Sequence, residues 1–345
     1  MKRSSCSILG SATCLAVLLF NFAAPSAQAA VIGFGSGGNQ FSMEFVEIGE
    51  PNNAADTDPN GDPNSAGAVS YVYNIGKFEV SRDMVDKASA AGNLGITLHD
   101  LTTFGGNGAN RPATGVSWNE AARFINWLNT SQGHLPAYKF AAQPGDGGYS
   151  ANSNIELWTA ADTGYDASNP FRNSEAEYFL PSVDEWYKAA FYDPVSDTYF
   201  NFPTGSDTAP TSVAGGTDPG TAVYSRSQSH GPADITNAGG LSPFGVMAMG
   251  GNATEWDETE SDLTNDDGSS KRWIRGGAWS YQASTLAVSF HESLNPTFEG
   301  FLAGFRVASA FSEPAGAPVP EPSTFVLGSM LLGLLACRRA WKSSR

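Results

Sequence analysis

The sequence predicts a loop-rich fold with modest regular structure in one large domain. The strand-like segments are few and short, and glycine is abundant, with 38 residues in 345. Two segments also carry the signals that start helices. No linker interrupts residues 31–309, a stretch long enough for one large domain. The expected strands cover residues 41–48, 69–80, 273–274 and 286–290.

Two helices are predicted from their N-terminal signals. Ser117 and Glu120 have capping-box spacing, and the apolar residues that follow recur at intervals of three to four. Ser182 and Glu185 repeat the box, and the second helix is expected to end by Asp193. The tryptophans on or beside the two apolar faces are expected in the core: Trp118, Trp127 and Trp186.

Residues 1–29 are typical of a secretory signal peptide. Lys2 and Arg3 precede an apolar run at 8–22, and Ala-Gln-Ala at 27–29 is a small-x-small cleavage site. The mature chain is therefore expected to begin near Ala30.

The C-terminal segment combines a Pro-rich spacer with an apolar run and a basic end. The spacer, 313–323, contains Pro-Glu-Pro at 320–322, and residues 324–345 form the expected anchor and basic tail. A spanning helix needs about 20 apolar residues, and this run is shorter. The order of parts closely resembles the PEP-CTERM sorting signal. That resemblance implies transient anchoring in the inner membrane, removal of the tail by an exosortase-type membrane protease, and a final location at the cell surface or outside the cell.

The composition of the mature chain excludes some kinds of chemistry. The three cysteines, Cys6, Cys14 and Cys337, lie in segments expected to be removed, so thiol catalysis and disulfides are not expected. The mature chain keeps 13 Lys and Arg and 35 Asp and Glu, which gives it a net charge near −22. Such a chain is not expected to bind nucleic acid, but it attracts cations such as Ca²⁺. A solvated acidic surface without a specific ligand would explain the same charge.

Five motifs of the body resemble those of formylglycine-generating enzyme, or sulfatase-modifying factor, domains. They occur in the order of that family at residues 116–122, 180–186, 251–256, 275–279 and 304–306. Residues 75–81 resemble the opening strand of the family. The resemblance covers about residues 41–309 and implies an α+β fold, a variant of the C-type lectin-like fold, in a domain at 30–312.

One departure from the family bears on activity. The resemblance implies an oxidase that converts a sulfatase cysteine to formylglycine with two copper-binding cysteines between the Arg-Gly-Gly-x-Trp and Gly-Phe-Arg motifs. Residues 280–292 of this chain contain no cysteine. Cu(I) needs thiolate or thioether ligands, so neither copper nor formylglycine generation is expected, and no catalytic residue is assigned. The alternative that the domain is a divergent oxidase, or another enzyme that uses the same ligand groove without the cysteine pair, stays open.

The resemblance also implies a calcium site at the Gly-Asn-x-x-Glu-Trp motif. Its ligands would be the carbonyl oxygens of Gly250, Gly251 and Ala253 and the carboxylate of Glu255. A purely structural turn is the alternative. Residues 56–62 mimic the start of an EF-hand loop, but the twelfth position is Gly67 rather than Glu, so a hydrated acidic loop is expected there.

A ligand groove is the last implication of the resemblance. Its expected residues lie in or beside the matching motifs: Trp279, Tyr281, His291, Asn295 and Arg306. An aromatic ring with amide and guanidinium neighbours suits a polysaccharide or peptide ligand. Core scaffolding explains Trp279 and Arg306 equally. The sequence therefore predicts an exported, noncatalytic domain that is a binding or structural component of the cell surface or extracellular matrix.

Overall fold

The computed structural model describes residues 30–310 as a mixture of helices, short strands and long loops. The expected signal peptide, spacer and anchor lie outside these residues. Within the described part of the chain, no helix is long and apolar enough to cross a membrane.

Three α-helices are present in residues 30–310: α1 (Arg82–Gly92), α2 (Trp118–Ser131) and α3 (Val183–Phe191). Both predicted capping boxes are confirmed, at the N-termini of α2 and α3. In each box the serine hydroxyl accepts a backbone N–H, while the glutamate carboxylate accepts the N–H of the serine. The sequence reading missed α1. Its N-cap is Ser81, which accepts a hydrogen bond from the N–H of Met84.

The strands are short, and most belong to two sheets. They are β1 (Ala30–Phe34), β2 (Phe41–Ile48), β3 (Tyr73–Gly76), β4 (Tyr178–Phe179), β5 (Tyr192–Asp193), β6 (Thr198–Tyr199), β7 (Thr211–Ser212), β8 (Thr221–Ala222), β9 (Thr254–Glu260), β10 (Arg272–Arg275), β11 (Glu292–Leu294), β12 (Ala303–Gly304) and β13 (Ala308–Ala310).

The larger sheet joins the two ends of the described chain. Its order is β1-β2-β3-β13-β4, and every neighbouring pair is antiparallel. Strand β13 therefore lies between β3 and β4 rather than at an edge. The second sheet has the order β11-β10-β9-β12, with β9 and β12 parallel. The pairs β5-β6 and β7-β8 form two small ladders.

The strand predictions are confirmed where the predicted segment pairs with a neighbouring strand. The segment 41–48 is confirmed as β2, and 273–274 lies within β10. The prediction for 69–80 is too long, because only Tyr73–Gly76 is a strand. The prediction for 286–290 is wrong. Leu286 and Val288 are buried in two different hydrophobic clusters, and the backbone N–H of Val288 donates to the carbonyl of Asn201 in a loop, so burial alternates here without strand pairing.

One large hydrophobic core fills the space between the helices and the sheets. Trp118 and Trp186 are fully buried in it, as predicted, and Trp127 packs against it while remaining partly exposed. A smaller cluster surrounds Trp279. The core thus holds β9 and the loop before it in place, and these carry the charged residues described next.

Candidate functional site

Strand β9 brings a row of acidic side chains into the interior. The strand lies inside its sheet, between β10 and β12. Its acidic residues are all buried: Glu255, Asp257, Glu258 and Glu260. Buried carboxylates are costly unless they are paired and hydrogen-bonded, so the position of each counter-charge decides what this strand can do.

The carboxylate of Glu255 is fully engaged with protein donors. The Nε of Arg306 lies 2.6 Å from its Oε2, and the Nη2 of Arg306 donates to its Oε1. The indole Nε1 of Trp186 donates to Oε2 at 2.7 Å. All three side chains are buried. The Glu255–Arg306 pair therefore ties the Gly-Asn-x-x-Glu-Trp motif to the Gly-Phe-Arg motif.

The next carboxylates along β9 are paired in the same manner. The Oδ2 of Asp257 accepts from the Nε of Arg275 at 2.9 Å, yet burial raises the pKa of Asp257 well above its usual range. Arg172 lies between Glu258 and Glu185, at 2.6 and 2.9 Å. These pairs cross-link β9 to β10, to α3 and to the loop before β4.

The turn predicted to hold calcium fits that role in part. Gly251 has φ +86°, and a Cβ there would lie 2.4 Å from the carbonyl oxygen of Val223, so glycine is required. Among residues 30–310, the carbonyl oxygens of Gly250, Gly251 and Ala253 accept no hydrogen bond, although all three residues are buried. Buried carbonyl oxygens without donors suit a hard cation or water. Glu255 fits less well, because its oxygens already face Arg306 and Trp186.

Glu79 is a buried acid at this turn that the sequence reading missed. Its Oε2 accepts from the Nδ2 of Asn252 at 2.5 Å, and its Oε1 accepts from the backbone N–H of Ala253 at 3.0 Å. Burial, followed by the charge of Glu255, raises the pKa of Glu79 to about 8, against the opposing effect of Arg306. Glu79 also lines a surface cleft of about 380 Å³. The signals in the sequence are its position at the end of the predicted strand at 69–80 and within residues 75–81, which resemble the opening strand of the family.

The five predicted groove residues do not form one surface. Trp279 and Arg306 are fully buried, which agrees with the scaffolding alternative and removes both from any groove wall. The indole Nε1 of Trp279 donates to the carbonyl of Gln228 at 3.3 Å. Tyr281 packs at the edge of the Trp279 cluster, and Asn295 is exposed in another loop. A ligand role for these last two residues stays a prediction.

His291 belongs to a separate cluster. Its Nδ1 lies 2.9 Å from the Oδ2 of Asp62, and its ring stacks on Trp273 with centroids 3.7 Å apart. Burial lowers the pKa of His291, while the charge of Asp62 opposes that shift. The carbonyl of Asp62 also accepts from the Nη2 of Arg275 at 3.1 Å. The structure thus joins an acid of the 56–62 loop to the histidine, a pairing that sequence spacing does not reveal.

The 56–62 loop is less hydrated than predicted. Asp56 is buried, and its Oδ2 accepts from the hydroxyl of Tyr187 at 2.6 Å, while its Oδ1 accepts from the N–H of Asp58 at 2.8 Å. These bonds dock the loop on α3, so the prediction of a solvated loop is wrong for Asp56. Within residues 30–310, no three His, Cys, Asp or Glu side chains are grouped so as to hold a metal ion.

Comparisons with solved structures show the fold. The chain is similar to Treponema denticola variable protein 1, with 19% identity, a TM-score of 0.55, and coverage of 82% of this chain and 99% of that chain. It is also similar to CarF, with 17% identity, a TM-score of 0.53, and coverage of 78% and 99%. PvdO from Pseudomonas aeruginosa gives 17% identity, a TM-score of 0.49, and coverage of 81% and 98%. The predicted loop-rich α+β fold in a single domain is confirmed.

Sequence families account for both the body and the tail. Curated proteins give no match. Residues 318–343 match the PEP-CTERM protein-sorting motif, which implies export and processing by an exosortase, a membrane protease, after a stage in which the C-terminus is membrane-anchored. Residues 41–311 match the sulfatase-modifying factor enzyme 1-like domain. Since that match covers most of the chain, the protein belongs to the sulfatase-modifying factor enzyme 1-like family.

Proposed function

We propose that the exported body is a noncatalytic binding domain of the cell surface or extracellular matrix. The observation that carries the proposal is the interval between Arg275 and Arg306, which contains no cysteine. Its residues Ala283–Leu286 form a 3-10 helix, and Leu286 and Val288 are buried there as apolar packing. Hydroxyl and aliphatic side chains cannot replace the soft sulfur ligands that Cu(I) requires.

The pairing of the motif residues supports the same proposal. Arg306 neutralises Glu255, Arg275 pairs with Asp257, and Trp279 fills a cluster of its own. These side chains stabilise the fold and are not accessible to a substrate. Partners of such a domain would be the exosortase during export and then a polysaccharide or peptide at the surface.

The rival proposal is a divergent enzyme, and one observation favours it. The Asp62–His291 pair has the form of a base with an orienting carboxylate, and His291 is only partly buried. No group of three or more metal-ligating side chains accompanies it among residues 30–310. His291→Ala separates the two proposals, because it abolishes an activity that depends on a base but leaves binding by a remote surface unchanged.

The proposed function is tested on the mature protein purified after export. The first arm incubates it with copper, oxygen and a peptide containing the Cys-x-Pro-x-Arg sequence of sulfatases, and mass spectrometry looks for the aldehyde. We expect none. The second arm applies the protein to glycan and peptide arrays, where we expect selective retention. Protein-dependent aldehyde formation would overturn the noncatalytic part, and absence of any selective retention would overturn the binding part.

Calcium at the 250–255 turn is also a proposal. It is supported by the three buried carbonyl oxygens, and it requires Glu255 to share its carboxylate with Arg306. When bound, the ion would supply a fixed positive charge that holds the turn. No step of the binding function depends on it.

A further inference from the structure

We infer that the cleft between Tyr71 and Arg172 is a binding site for a neutral oligosaccharide, an inference that rests on the proposed binding function. The cleft has a volume of about 440 Å³. Its lining combines one exposed aromatic ring, two charged side chains and several amide and hydroxyl groups: Tyr71, Asp166, Ser168, Asn169, Arg172 and Asn173. None of these residues was a candidate in the sequence.

Tyr71 supplies a flat apolar platform. The residue is 47% exposed, yet its hydroxyl donates to the Oε1 of the buried Glu185 at 2.6 Å. Its ring meets Tyr73 edge-on, with centroids 6.1 Å apart. With the hydroxyl held inward, Tyr71 turns ring surface rather than a polar group toward solvent. A ring fixed in this way loses little entropy on binding, and its negative face attracts the C–H groups of a pyranose.

The charges around Arg172 disfavour an anionic ligand. Its guanidinium lies over the Phe179 ring, 3.8 Å from the centroid, and is bonded to two carboxylates, Glu185 and Glu258. Because these two acids outweigh its single charge, the floor of the cleft does not attract an anion. A guanidinium has five N–H groups, and one on Nη1 has no acceptor among residues 30–310. The side chain lines the cleft and is 12% exposed, and in the inferred complex this N–H donates to a ligand hydroxyl.

The polar groups around the platform are held before any ligand arrives. The Nδ2 of Asn169 donates to the Oε1 of Glu258 at 2.5 Å, and its Oδ1 accepts from the Nδ2 of Asn265 at 2.7 Å. Asn173 is buried and donates to the carbonyl of Thr163 at 3.0 Å. Fixed amides next to an aromatic face match a ring with an apolar C–H face and hydroxyl edges. Such preorganisation lowers the entropic cost of binding.

The inference is tested by titrating the mature protein calorimetrically with cellohexaose, laminarihexaose and isomaltohexaose, and with hexagalacturonate as the anionic counterpart. We expect at least one neutral hexasaccharide to bind, and hexagalacturonate to bind at least tenfold more weakly. Tyr71→Ala should weaken binding about tenfold or more. Phe298→Ala is the matched control, because Phe298 is 45% exposed on another loop, and it should bind like the wild type.

A second variant guards against misfolding. Ser168 is exposed at the cleft, and Ser168→Trp should fill the cleft and block binding without touching the Arg172 network. Equal binding by wild type, Tyr71→Ala and Ser168→Trp would refute the site while leaving the binding function intact. A peptide retained on the arrays and lost in both variants would overturn the saccharide class. No binding of any hexasaccharide by the wild type would also overturn it, and absent array retention would overturn the proposed function itself.

Discussion

The buried pair of Glu255 and Arg306 offers a quantitative test of the scaffold. Arg306→Met keeps most of the side-chain volume but leaves the carboxylate of Glu255 with Trp186 as its one remaining side-chain donor. It also removes the hydrogen bonds from Arg306 to the carbonyls of Gly76 and Met247, at 2.7 and 3.0 Å. Breaking a buried pair from one side costs about 3–5 kcal/mol, and the two freed carbonyls place this variant toward the upper end.

Urea unfolding at equilibrium measures this loss. With a slope of about 2–3 kcal/mol per M, a loss of about 4–5 kcal/mol should lower the midpoint by about 1.5–2.5 M without a change in slope. Lys77→Met is the matched control. The Lys77–Glu44 pair has a similar separation of 2.7 Å, but both side chains are 28% exposed, so the cost should stay below about 1 kcal/mol.

The double variant Glu255→Gln/Arg306→Met should be more stable than Arg306→Met, because no unpaired charge is then left inside. Two results would refute this reasoning. One is a loss for Arg306→Met no larger than that for Lys77→Met, and the other is a double variant no more stable than the single one.

Three further predictions concern pH, calcium and the tail. The pKa of Glu79 in the folded state, about 8, exceeds its usual value, so the folded state binds one more proton than the unfolded state between pH 4.5 and 8. The free energy of unfolding should therefore fall as pH rises through that range. Glu79→Gln should reduce this pH dependence, which unfolding midpoints measured across the range would show. Calcium at a hundred times its dissociation constant should stabilise the protein by about 2.7 kcal/mol, and thermal melting in calcium and in chelator checks this. Glu255→Gln should reduce this effect of calcium on the melting temperature; because the variant also breaks the Arg306 pair, only the calcium-dependent part of its change is informative. If calcium-free wild-type protein melts at the same temperature in calcium and in chelator, the calcium site is contradicted. Replacing Pro-Glu-Pro at 320–322 with three alanines should leave unprocessed protein in the inner membrane, whereas full-length protein in the extracellular fraction of wild-type cells would contradict the sorting signal.

Local signals in the sequence were sufficient for part of the fold. The capping boxes of α2 and α3 depend on residues three positions apart, so the sequence contains the whole interaction. Helix α1 has the N-cap Ser81, but its third helical position is Met84, which has no carboxylate to accept the N–H of the N-cap residue. The capping-box pattern is therefore incomplete in the sequence. The strand predicted at 286–290 failed because alternating burial there comes from two separate clusters.

The candidate site depended on contacts between distant segments, which pattern reading does not supply. Glu79 meets Asn252, and Asp62 meets His291, across most of the chain. Trp279 belongs to a motif that was recognised, but the motif does not tell whether its ring faces a ligand or the core. Burial decides that question, and it depends on how the loops pack. The Tyr71 cleft was missed for the same reason, since its walls come from two loop segments, 71–72 and 166–176, and from strands β4 and β13.

The place of β13 within the larger sheet sets an order of events during export. If the predicted signal peptide carries the unfolded chain through the inner membrane N-terminus first, β3 and β4 emerge long before Ala308–Ala310 can pair with them. Until then both strands have one edge without its final partner, and unpaired edges favour association with other chains. The body can close only after almost all of it has been translocated. If the tail is retained at the membrane before proteolysis, as its sorting motif implies, the last strand has time to pair before the body is released.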